Sequence, residues 1–201
     1  MENFRAAENG RKKEKQRMKT RNLALAAIFT ALTVVFAQIV IPLPFTPVPF
    51  SMAVFAVYLT GALLPMGWAA AAQAVYLLLG AAGLPVYGGF SGGVGVLAGP
   101  TGGYLLTYPL MALLVAAAAR AARRKTWAVL AGGMLCALAV CYLGGSLWYC
   151  ATARVTWRKS AVLTILPFLP FDLVKIALCA PLAAALNRAL ARARLLPEQR
   201  R

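Results

Sequence analysis

In the stretch LPFDLVK, residues 169–175, an aspartate and a lysine stand three positions apart in an otherwise apolar sequence. Asp172 is the only aspartate of the chain, and the nearest other acids, Glu14 and Glu198, lie towards the termini. Residues three apart share one face of a helix, and Pro170 suits a first helical turn, where its missing N–H is not needed. Such a pair could hold a small solute that carries both an anionic group and N–H donors, with the lysine answering the first and the aspartate the second. It could also be a mutually neutralising pair that pins helix packing. A charge at bilayer depth costs from about 2.5 kcal/mol upwards, and such residues face a cavity or a partner. A pair serving packing alone could be replaced by apolar residues at little cost, which favours binding.

The elements around the pair decide its depth. The chain is 61% hydrophobic and 13% charged, against about 45 to 50% and about 25% in an ordinary globular domain, so it reads as an all-α integral membrane protein. No Asp, Glu, Lys or Arg occurs between Asn22 and Ala119, nor between Thr126 and Ala153. A helical crossing needs roughly 20 apolar residues, so these runs hold several spans. The first is too long, and too closely followed by others, to be a cleaved signal. Breakers divide the chain into spans at 22–41, 50–64, 66–82, 103–119, 127–150 and 170–190, with 160–168 as an apolar approach to the last. The expected fold is one compact six-transmembrane-helix bundle over 22–190, flanked by basic tails at 1–21 and 191–201.

The net charge of +16 suggests nucleic acid until its placement is considered. Eight cations fall within the first 21 residues, four at 120–125 and five at 188–201. Six spans put all three clusters on one side, the cytoplasmic one by the positive-inside rule, with both termini. Arg154, Arg158 and Lys159 break the pattern and fall outside. An outer cationic loop could draw in an anionic solute or be merely solvated. The charge pattern therefore fits a membrane protein with lipid rather than nucleic acid as its surroundings.

Enzyme chemistry is poorly provided for. There is no histidine, one internal carboxylate and no Gly-x-Ser-x-Gly, leaving no nucleophile with its base and no acid pair. Neither Lys125 nor Lys159 follows the glycines of a phosphate loop, so the chain cannot bind and hydrolyse ATP by that device, and the energy for any uphill movement would come from elsewhere. Cys136, Cys141, Cys150 and Cys179 have no metal-site spacing and read as small apolar packing residues. Neither a metal nor a cofactor is expected.

Two loops remain, both on the outer side. Residues 80–103, GAAGLPVYGGFSGGVGVLAGPTGG, hold ten of the 17 glycines, interleaved with Tyr87, Phe90 and Ser91. Irregular backbone near membrane depth is tolerated where it is buried in protein or lines a cavity, so this loop is expected to fold over a cavity containing the pair. The second, PLPFTPVPF at 42–50, has four prolines in nine residues and should be extended and stiff. Within the spans, Gln38 and Gln73 could reach the pocket, but hydrogen bonding between helices is the simpler account. Ala27 and Ala31, with Ala24 a turn earlier, form a small-residue face that another helix could approach closely.

GLPVYGGFSGGVGVLAGPTGGYL (83–105) together with PFLPFDLVKIAL (167–178) resembles the BioY family, the biotin-specific substrate-binding subunits of energy-coupling factor (ECF) vitamin transporters. The likeness covers essentially the whole chain from about residue 20 onwards, departing from the motif at Phe171, where glycine is usual. It implies a six-helix capture subunit working with a membrane coupling protein (the T component) and two cytoplasmic ATP-binding cassette ATPases. It also implies a biotin pocket built from Tyr87, Phe90, Ser91, Gly92, Gly93 and Tyr104 in the loop and fourth span, with Asp172 and Lys175 on the sixth. Ala27 and Ala31 would contact the coupling protein. Biotin offers ureido N–H groups for Asp172 and a carboxylate for Lys175; because the two residues start close together and biotin is elongated, both could instead serve one end. The rival readings are a proton-coupled secondary carrier using Asp172, weakened by the lack of an internal repeat, and a structural subunit binding no small molecule.

Overall fold

The computed structural model describes residues 2–41, 50–121 and 127–192, with side chains from Gln16 onwards. The Pro-rich stretch 42–49, most of the basic 120–125 loop, the C-terminal tail from 193 and the cations up to Lys15 lie outside the described residues or side chains. Nine helices and one strand pair are described: α1 (Glu2–Ala37), β1 (Val40–Ile41), β2 (Phe50–Ser51), α2 (Ala53–Leu63), α3 (Met66–Ala81), α4 (Val94–Ala98), α5 (Gly102–Leu106), α6 (Tyr108–Ala121), α7 (Trp127–Ala153), α8 (Trp157–Thr164) and α9 (Leu169–Arg192).

Four helical segments are long and apolar enough to cross a membrane: Gln16–Ala37, Gly102–Ala121, Trp127–Ala153 and Leu169–Arg192. The other two expected spans are the shorter apolar helices Ala53–Leu63 and Met66–Ala81. At 1.5 Å per residue these reach only about 16 and 24 Å, short of a hydrocarbon core of about 30 Å. Their surroundings explain why that is tolerated. Ten of the eleven residues of α2 are buried, because it packs against α1, α3, α6 and α9. Large apolar side chains point outwards from the long helices, among them Leu23, Ile28 and Val35 on α1, Leu143 and Leu147 on α7, and Val174 and Leu178 on α9.

Three boundaries differ from the sequence expectation. The first span stops at Ala37 rather than 41, since Ile39, Val40 and Ile41 are β-branched and precede Pro42. Val40–Ile41 instead pairs antiparallel with Phe50–Ser51. The segment before the last span is a separate helix, α8, beginning at Trp157 and followed by turns at 165–168. The glycine-rich loop contains the short α4, and the fourth span begins with α5 and continues into α6.

Between helices inside lipid, packing and hydrogen bonds replace the hydrophobic effect. Gln73 on α3 is fully buried and donates through Nε2 to Thr33 Oγ1 of α1 at 3.1 Å and Thr60 Oγ1 of α2 at 3.0 Å. Both threonines donate back to their own helices, so their oxygens are free to accept. This bond set ties three helices together and bears out the interhelical reading of Gln73.

Candidate substrate site

At the bundle end where α2 and α9 begin, a cavity is lined by Phe50, Ser51 and Val54, Tyr104 and Tyr108, Leu138, Cys141 and Tyr142, Thr164, Phe168, Asp172 and Lys175. Six helices (α2 and α5 to α9) and strand β2 contribute to it. The α9 helix starts at Leu169 with Pro170 in its first turn, which sets Asp172 and Lys175 one turn apart on the buried face. They are only 6% and 5% exposed.

Lys175 Nζ donates to Asp172 Oδ1 at 2.9 Å and to the Ser51 carbonyl at 2.6 Å. It also lies 3.9 Å from the centre of the Phe50 ring, a cation–π contact worth about 2 kcal/mol when desolvated. Tyr142 donates its hydroxyl to Asp172 Oδ2 at 2.6 Å. The pair is thus neutral as a unit and the ammonium well used. An ionised carboxylate has about four acceptor positions, so Asp172 keeps capacity for N–H donors from a ligand. The Phe50 ring stacks on Phe168 at 6.4 Å and tilts against Phe171 at 5.3 Å, so Phe171 packs over the lysine's seat.

Tyr104 and Thr164, both in the lining, are joined through the buried Ser146. Tyr104 Oη and Ser146 Oγ are 3.2 Å apart, and Ser146 Oγ and Thr164 Oγ1 are 3.3 Å apart. Gly145 makes this possible, because a methyl there would overlap the Tyr104 ring.

Of the sequence-derived residues, Tyr104, Asp172 and Lys175 line the cavity together. The glycine-rich loop residues do not join that lining. Tyr87 is 1% exposed, donates its hydroxyl to the Leu77 carbonyl at 2.7 Å and meets Tyr76 edge-on at 5.6 Å, filling the space that Gly80 leaves beside α3. Ser91 accepts the Tyr87 N–H through its carbonyl at 3.0 Å and donates its hydroxyl to the Gly88 carbonyl at 2.9 Å. Gly92 sits against the Leu84 carbonyl, Gly93 donates its N–H to the Gly80 carbonyl at 2.7 Å, and Phe90 is 72% exposed. Ala27 and Ala31 are exposed on α1. Cys141 and Cys179 are buried as packing residues, Cys141 within the cavity wall. Sequence reasoning missed Phe50, Ser51, Tyr108, Tyr142, Thr164 and Phe168, none of which carries a charge to mark it.

A helical membrane bundle with a buried charge pair in a cavity at one end defines a multi-pass solute-binding membrane protein. A profile of the BioY family matches residues 11–192, and the chain belongs to that family. The biotin transporter BioY of Thermotoga maritima is 40% identical over 172 residues, 84% of this chain and 96% of that protein. The probable biotin transporter BioY of Pyrococcus horikoshii is 37% identical over 171 residues, 85% of this chain and 98% of that protein. The crystal structure of the S-component for biotin from an ECF-type ABC transporter shares the fold, with a TM-score of 0.80 at 23% identity over 86% of this chain and 93% of that one.

Proposed function

We propose that this chain captures biotin and serves as the substrate-specific membrane subunit of an ECF transporter. The observation that carries the reading is the buried Asp172–Lys175 pair inside a cavity walled by tyrosines, in a member of a family whose relatives are named as biotin transporters. Asp172 accepts ureido N–H groups with its remaining lone pairs, and aromatic faces cover the bicycle. Because the 2.9 Å ion pair holds both groups at one point, the arrangement with both at one end of the ligand is the better supported. A neutral pair matches a neutral ureido edge, and an ammonium already bound to a carboxylate, a carbonyl and a ring has little left for the valerate carboxylate. Tyr87, Phe90, Ser91, Gly92 and Gly93 act as the cover over the cavity.

In this reading the chain crosses a bacterial cytoplasmic membrane six times with both termini cytoplasmic and the cavity at the outer face; the three basic clusters support that arrangement. With no phosphate loop in the sequence, the power stroke falls to two ATP-binding cassette ATPases joined through a coupling protein, which docks on the exposed Ala27–Ala31 face of α1. Retention of labelled biotin by the purified chain in detergent tests the capture step. Near-stoichiometric retention is expected, and none would overturn the reading.

A further inference from the structure

Gln38 stands one residue beyond α1 and reaches the glycine-rich loop with both halves of its amide. Its Nε2 donates to the Val86 carbonyl and to the Val34 carbonyl, both at 3.2 Å, and its Oε1 accepts the Phe90 N–H at 2.8 Å. Only the carbonyl half can accept an N–H, so the Phe90 bond fixes which way the amide faces. The residues it grips form a small hairpin, closed where Tyr87 bridges Ser91 and turned through Gly89 at φ +69° and Phe90 at φ +56°. A left-handed backbone is natural for glycine and strained for phenylalanine, and such strain persists where surrounding contacts enforce it. The Tyr87–Ser91 bridge and the bond from the Phe90 N–H to the Gln38 carbonyl oxygen are among the contacts on this turn.

The same junction governs the seat of Lys175. Ile39 accepts the Met52 N–H at 3.2 Å, Val40–Ile41 pairs with Phe50–Ser51, and Phe50 and Ser51 hold the ammonium. Gly88 of the hairpin lies over the Val40 side chain and the Ala37 carbonyl. One glutamine therefore stands between the hairpin and the strand pair that positions half of the charge pair. We infer that Gln38 is a positioning residue that fastens the glycine-rich hairpin to the β1–β2 ribbon, which carries the seat of Lys175, and that this fastening slows the release of ligand from the Asp172–Lys175 cavity.

The readout of release rests on the biotin reading, so the test has a second readout that needs no ligand. Labelled-biotin dissociation and hydrogen exchange of amides 86–91 are measured on the purified full chain for wild type, Gln38→Leu and Gln38→Glu, with thermal unfolding alongside. Gln38→Leu removes both bonds and should speed dissociation about tenfold, the factor for one net hydrogen bond, while exchange in the ligand-free hairpin rises and the unfolding midpoint stays within a few degrees. Gln38→Glu keeps the acceptor for Phe90 N–H but turns a second oxygen on the Val34 and Val86 carbonyls, so it should also lose residence time and hairpin protection relative to wild type. Unchanged dissociation and exchange in Gln38→Leu would overturn the inference, as would a lowered midpoint with dissociation unchanged. If wild type retains no biotin, the functional reading fails, and the exchange data alone decide whether Gln38 fastens the hairpin.

Discussion

Tyr142 is the residue whose importance only the folded chain reveals. It lies 30 positions before Asp172, yet their oxygens are 2.6 Å apart. A hydrogen bond to a charged group contributes about 1.5 to 3 kcal/mol, so Tyr142→Phe should free Asp172 to swing and weaken biotin binding by about 10- to 100-fold in equilibrium titration, with helical content unchanged; wild-type affinity would mean that the tyrosine does not orient the carboxylate. Asp172 and Lys175 were legible in the sequence because a charge in an apolar run is costly wherever it goes. Tyr142 was not, because a tyrosine within a span is compatible with packing, an interface or a site. Ser51 and Phe50 escaped for a different reason: they meet Lys175 across 124 residues or more of chain, and Ser51 contributes a backbone carbonyl that any residue would supply.

Elements were legible where lipid dictates them. Helices must satisfy their own backbone, and breakers such as Pro65 mark their ends, so α3 and α7 fall close to their expected spans. The α8 helix was obscured because Arg158 and Lys159 occupy its first turn and interrupt the apolar pattern. The hairpin, whose conformation depends on Gln38 and Tyr87, had no periodicity to read. Gly80 illustrates how the loop depends on a helix: a methyl there would overlap the Tyr87 ring. Gly80→Ala should displace that ring and lower stability by about 1 to 3 kcal/mol, read as a drop in thermal midpoint and loss of exchange protection at 84–93. An unchanged midpoint would show that the ring is not fixed. On α1, where Ala27 and Ala31 face outwards, Ala31→Trp should abolish biotin uptake by cells or reconstituted complexes while leaving capture by the purified chain intact. Loss of both together would place Ala31 in the fold rather than at a docking surface.

For the molecule as a whole, the proposed division of labour is capture without an engine. The chain alone in liposomes should bind biotin but not accumulate it under a pH gradient, and accumulation by the chain alone would instead make it a secondary carrier. Fluorescent and periplasmic reporters fused to the C-terminus should report a cytoplasmic end; the opposite result would invert the bundle and place the cavity on the wrong side for uptake. Above these stands the buried pair, since breaking one partner of such a pair leaves an uncompensated charge, typically a loss of 3 to 5 kcal/mol. The most direct measurement is the biotin dissociation constant of the purified chain for wild type, Asp172→Asn, Lys175→Met and the double variant. Both single variants should bind at least 100-fold more weakly than wild type, and the double variant, though relieved of its lone charge and folded, should still fail to bind. Wild-type affinity in the folded double variant would contradict the assignment of the site.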